Sequence, residues 1–257
     1  MGIPVHDLIN PLLALWLPFV RIMAFFHFCP LFDHRALVRK GRIVLALLLS
    51  MVMTPMLPNN VVLFELMSMK TLLLTGEQLI WGLLFGQMLW WVFWALQTAG
   101  AILSMNMGLG MAVMNDPGSG SSTMVISQII FIWAALLFFS FDGHLLLVSI
   151  LYKGFIYWPI GQAINEPSMR AVVSGFGWII SGALLLAIPT VFIMLLVQGV
   201  FGLLNRVAPQ LNLFALGFPI SMLFGLFCFM VLSNNVGEHY LHLTNQVLAL
   251  FDRLRMA

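Results

Sequence analysis

Charge is what this sequence has least of. Charged residues make up 8% of its 257 positions, eleven lysines and arginines against nine acids. A soluble domain carries about a quarter. So little charge cannot clothe an ordinary water-solvated surface, and a net charge of +2 provides no basic face for nucleic acid. Cysteine is nearly absent too: Cys29 and Cys228 each lie in an apolar run. They read as small buried hydrophobes, which excludes a disulfide framework. No Walker loop, GxGxxG, HExxH or Ser/His/Asp set is present, so neither an enzyme nor a cofactor or metal is expected. Asp7 stands where a basic n-region would be, and no small-residue cleavage site follows the first apolar run. No removable signal peptide is expected.

What the chain has instead is oil: 61% hydrophobic residues, with 22 Phe and 8 Trp. Runs free of Asp, Glu, Lys and Arg cover 8–20, 43–64, 78–115, 117–141, 171–205 and 207–237. Open strands would leave backbone groups unsatisfied in lipid, so the expected fold class is all-α, a polytopic helical membrane protein with broken or re-entrant helices. At 1.5 Å per residue, about 20 residues cross the hydrocarbon core. The simplest count is six helices, near 11–32, 43–64, 78–103, 124–151, 172–204 and 212–233, the first keeping Arg21 by snorkelling or by facing protein. Six simple spans put five basic residues on each side, a tie under the positive-inside rule that "DHRALVRKGR" breaks only weakly. The tie fits helices that do not cross the bilayer as simple spans.

The run 78–115 would reach about 57 Å as one helix, nearly twice the hydrocarbon thickness. It must bend, re-enter or leave. Gly100, Gly108 and Gly110 offer the breaks, and Asp116-Pro117-Gly118 finishes the element. Residues 105–124, "MNMGLGMAVMNDPGSGSSTM", hold five methionines and four glycines. Irregular backbone at membrane depth needs protein or a water-filled cavity around it. The stretch therefore lines or plugs something aqueous, or is an ordinary exposed loop.

Gly82 and Gly86 have the spacing for close helix packing. Glu77, Asp142 and His144 lie in or near apolar runs, where a titratable group suggests a proton relay; Asp142-Gly143-His144 reads better as a tight turn at a helix end. His239 and His242 share a helical face but lack a third ligand, and read as surface residues. In "NRVAPQLN", Pro209 ends a helix after Arg206, whose guanidinium beside apolar runs needs acceptors. Asn205, Gln210 and Asn212 suit the backbone groups exposed at that break. The block reads as a subunit contact or intramembrane turn, or more plainly as a solvated turn.

Four stretches in order resemble the FliR family of flagellar protein-export components: "TAGAILSMNMGLGMAVMNDPGS", "FFSFDGHLLLVSIL", "YWPIG" and "LLNRVAPQLNLFALGFPI". The likeness runs from about 98 to 220, with Arg21 and Pro30 agreeing further upstream. Gly217-Phe218-Pro219-Ile220-Ser221 favours the flagellar branch over the related injectisome proteins. The resemblance implies a subunit of a helical export-gate assembly in the bacterial inner membrane, at the flagellar basal body. It implies FliP and FliQ as core partners, contacts with FlhB and FlhA, and unfolded flagellar subunits as cargo. It also implies a FliP-like portion at 1–165 with a gate loop at 105–122, and a FliQ-like hairpin and tail at 166–257. Met105, Met107, Gly108, Gly110, Met111, Met114, Asp116, Pro117 and Gly118 would then form the plug, and Asn205, Arg206, Ala208, Pro209, Gln210, Gly217 and Pro219 the contact or turn. Met111 and Met114 stand where some relatives carry Phe, which implies a softer seal. Methionine adapts its shape, and glycine lets a backbone swing aside. Two rivals are a small-solute secondary transporter, which should show an inverted repeat that is not found here, and a structural scaffold, which has no need of a Met-Gly loop.

Overall fold

Apolar segments that must satisfy their own backbone groups fold as helices, and helices make up nearly all of what a computed structural model of this chain describes. The described residues are 5–29, 39–57, 69–111, 113–115, 122–161, 166–207 and 213–256. Among them the helices are α1 (Val5–Phe28), α2 (Arg39–Met53), α3 (Met69–Asn106), α4 (Val125–Ser140), α5 (Gly143–Tyr157), α6 (Glu166–Val207) and α7 (Leu213–Met256). Two three-residue strands, β1 (Val113–Asn115) and β2 (Ser122–Met124), pair antiparallel between α3 and α4.

The described residues do not form six simple spans. Among the described residues three helical segments are long and apolar enough to cross a membrane, Met69–Asn106, Gly177–Val207 and Gly217–Asp252, or four with α4 and α5 taken as one broken span. The expected helix at 124–151 is interrupted at Phe141-Asp142, where the chain turns by 77°. Asp142 adopts the left-handed conformation, φ 53° and ψ 35°, a region short polar side chains tolerate better than most. Its carbonyl accepts from the Leu145 and Leu146 amides, while its side chain makes no cap. The turn is there; the carboxylate does not cap it. Gly100 breaks nothing either, since α3 runs straight through it. It is a contact glycine: a Cβ there would lie 2.8 Å from Ile130 Cδ1. The last helix continues to Met256, well past 233, because Glu238 and Asp252 are ordinary helix residues once the segment need not lie wholly in lipid.

The helices gather into two compact units. One comprises Met1–Trp90, Asp142–Val173 and Leu250–Ala257. In it Gly82 and Gly86 let α3 press on α1. A Cβ at Gly82 would overlap the Arg21 carbonyl oxygen, and one at Gly86 would lie 2.7 Å from that of Phe25. Around this contact pack Trp81, Phe85, Trp158 and Phe251, with neighbouring ring centroids 4.8–5.7 Å apart. Arg21 is completely buried among them. Its Nε donates to Gln78 Oε1 at 2.7 Å, and its Nη1 to the carbonyls of Gly154 (3.2 Å) and Trp158 (3.0 Å). Its guanidinium carbon lies 4.4 Å from the centre of the Phe155 ring. Arg21 therefore faces protein and does not snorkel, tying α1 to the C-terminal end of α5.

The other unit comprises Trp91–Phe141 and Ser174–Ala249. Its core is built on Phe93, Ala95, Ala134, Phe138, Ala183, Ala187, Met194 and Tyr240, all buried. Small residues again allow close approach: a Cβ at Gly175 would overlap the Trp91 ring, and Ser127 on α4 donates to the Gln97 carbonyl of α3 at 2.9 Å.

Because Asp142 is exposed and acts through its backbone, Asp142→Asn should leave motility and protein level at wild-type values. Asparagine keeps the shape and the tolerance for positive φ while losing the charge. Loss of export at normal abundance would instead give the carboxylate a chemical role.

Candidate functional site

The C-terminal end of α3 is where an apolar helix gives way. The Met107 amide still bonds the Leu103 carbonyl at 3.0 Å, but the Gly108 amide reaches back only to Met105, at 3.1 Å. Gly108 takes φ +77°, the left-handed conformation that commonly ends helices and that only glycine adopts without penalty. A 3-10 turn, Leu109–Met111, follows. The ribbon comes next, with Val113 opposite Met124, Met114 opposite Thr123 and Asn115 opposite Ser122.

The orphan groups at this helix end are met by side chains. Asn106 Nδ2 donates to the Ile102 carbonyl at 2.8 Å, and Gln198 Nε2 on α6 donates to the Asn106 carbonyl at 3.1 Å. Met107 is fully buried, its side chain occupying the space a Cβ at Gly225 of α7 would fill. The Phe218 ring lies over Gly108, where a Cβ would come within 2.8 Å of it. Met105, by contrast, is 62% exposed. The stretch is thus held at its base by α6 and α7 and turns irregular just beyond.

Of the residues singled out from sequence, Met105, Met107, Gly108, Gly110, Met111 and Met114 fall in this junction, turn and ribbon. Asp116, Pro117 and Gly118 lie outside the described residues, as do Ala208, Pro209 and Gln210. Asn205 and Arg206 are exposed in the last turn of α6. Pro219 lies within the early turns of α7, and beyond the helix's own nearby backbone and chain neighbours no described atom comes within 4 Å of where a Cβ on Gly217 would be. Asp142 and His144 are exposed. Glu77 is half-buried on α3. His242 faces Gln246, and among the described residues no three His, Cys, Asp or Glu gather as a metal site. Sequence reasoning missed Gln78, Gln198, Phe218 and Gly225. Two of them carried a signal, since a glutamine inside an apolar helix needs a partner.

Comparison with known proteins agrees with this picture of a helical membrane chain. Residues 12–247 match the family described as bacterial export proteins, family 1. The flagellar biosynthetic protein FliR of Pectobacterium carotovorum subsp. carotovorum is 33% identical over 249 residues, 96% of this chain and 94% of that relative. FliR of Escherichia coli (strain K12) is 32% identical over 90% of this chain and 88% of its own length. The Yop proteins translocation protein T of Yersinia pestis is 30% identical over 90% of this chain and 92% of its own.

Proposed function

The chain belongs to family 1 of the bacterial export proteins, the family of FliR, and from that premise we propose that it is a subunit of a flagellar type III export gate whose residues 105–118 close the channel at rest. It works in the membrane alongside other export proteins, as a structural component. In this reading FliP and FliQ complete the core of the gate, FlhB and FlhA contact it at the basal body of the inner membrane, and unfolded flagellar subunits pass through. The segment 1–165 corresponds to a FliP-like portion and 166–257 to a FliQ-like hairpin with its tail. Asn205, Arg206 and residues 208–210 meet a neighbouring subunit.

The observation that carries the proposal is the abrupt end of α3 at Met107-Gly108. An overlong apolar helix gives way there to a 3-10 turn and a short ribbon of Met, Gly and small polar residues. A gate for many different chains must seal around nothing and yield to any side chain. Methionine offers adaptable apolar surface for the first task, and glycine an unstrained backbone for the second.

Deleting residues 109–115 should raise ion leakage across membranes containing the assembled gate several-fold over wild type, at normal subunit abundance. Unchanged conductance with normal assembly would show that another element makes the seal.

A further inference from the structure

Three residues outside the gate segment converge on its base, and their chemistry differs from that of the segment itself. We infer that Gly225 and Phe218 of α7, with Gln198 of α6, are positioning residues that form a seat for Met107-Gly108 and so hold the gate segment closed. This rests on the gate reading above and assigns the part of the chain that sets the segment's resting position.

The geometry is specific. Gly225 leaves a notch in the side of α7, and the Met107 side chain fills it; a Cβ at 225 would overlap Met107 Cγ and lie 2.8 Å from its Sδ. Met107 is completely buried, so the fit excludes water. One residue on, the Phe218 ring covers Gly108 at its positive-φ position. One residue earlier, Gln198 ties down the Asn106 carbonyl. Three successive residues at the end of α3 are thus each held by a different side chain or notch, while Met105, just before them, is exposed.

A glycine notch filled by a flexible thioether is a contact that can be left and regained. Methionine has three rotatable bonds and packs without demanding one shape. For Met107 to leave the notch the Gln198 bond must lengthen and the Phe218 ring must lift, and the two strands beyond are then free to follow. When the channel empties, refilling the notch returns the segment to one position, which a seal of soft residues alone would not specify.

The test is a size swap in the full chain, assembled with its partner subunits and read as ion leakage per assembled complex. Gly225→Leu expels Met107 and should raise leakage several-fold; adding Met107→Ala frees the space and should bring leakage back toward wild type. Such rescue marks a direct contact, since two independent lesions would add. No leakage from Gly225→Leu at normal assembly overturns the inference, and so does leakage that Met107→Ala leaves unchanged. Should Gly225→Leu fail to assemble, Phe218→Ala takes its place, because this half-exposed side chain can be truncated without a core cavity. Leakage from that variant supports the seat, and its absence overturns it. The 109–115 deletion runs alongside. If it leaks and the seat variants do not, the seat alone falls; if it does not leak, the gate reading falls and the seat with it.

Discussion

An Arg21→Ala chain will not accumulate: its level in membranes should drop several-fold, and motility with it. The guanidinium is completely buried and supplies hydrogen bonds to Gln78, Gly154 and Trp158, which join α1 to both α3 and the end of α5. Truncation leaves Gln78 Oε1 and two carbonyls without these donors, at about 1–3 kcal/mol for each group that stays unsatisfied. It also opens a void where the stem lay beneath Phe155. A total on the order of 3–5 kcal/mol is a large share of a marginal stability of about 5–15 kcal/mol. Arg21→Lys should fall between the two, because an ammonium keeps the charge but cannot reach three acceptors with a planar fork. Immunoblots of isolated membranes rank the three chains, and wild-type abundance for Arg21→Ala would mean that the network is dispensable.

Expressed without partner subunits, the whole chain should be degraded or polydisperse, and co-expression with FliP should rescue it. The reason lies in α6 and α7. Only 33% of the most apolar window in Gly177–Val207 is buried within this chain, and only 11% in Gly217–Asp252. Lipid would satisfy such faces if they were purely apolar. They also carry Asn205, Arg206, Asn234, Asn235 and Glu238, all exposed. Polar side chains on lipid-facing helix surfaces are costly, and lipid gives helices little drive to bury them against one another. Other subunits must supply the cover. Size-exclusion profiles and protease resistance with and without FliP measure this, and a monodisperse, resistant solitary chain would point back to a self-sufficient transporter.

Much of the fold was legible in the residues because membrane solvation leaves few choices. Helix was the only form open to the apolar runs, and the spacing of Gly82 and Gly86 pointed to close packing of the kind seen against α1. Local spacing misled where a residue's partner is distant. Gly100 looks like a break, yet it makes room for Ser127 and Ile130 of α4, about thirty residues on. The length of α7 was hidden by its charges, which a lipid-based reading takes as the end of a helix. Methionine and glycine density singled out, from the sequence alone, the stretch in which α3 ends at Met107-Gly108. The contact at Gly225 left little local trace, because that notch has meaning only when Met107, far away in the chain, is set into it.

The Arg21 contacts also impose an order in time. Its carbonyl acceptors lie 133 and 137 residues downstream. At a synthesis rate of roughly 5–20 residues per second, the first helix waits about 7–27 s before the backbone that receives its guanidinium has been made. Until then Arg21 has at most one of its three acceptors, Gln78, and burying its charge in hydrocarbon would be costly. α1 therefore completes its native contacts only after the end of α5 has been made.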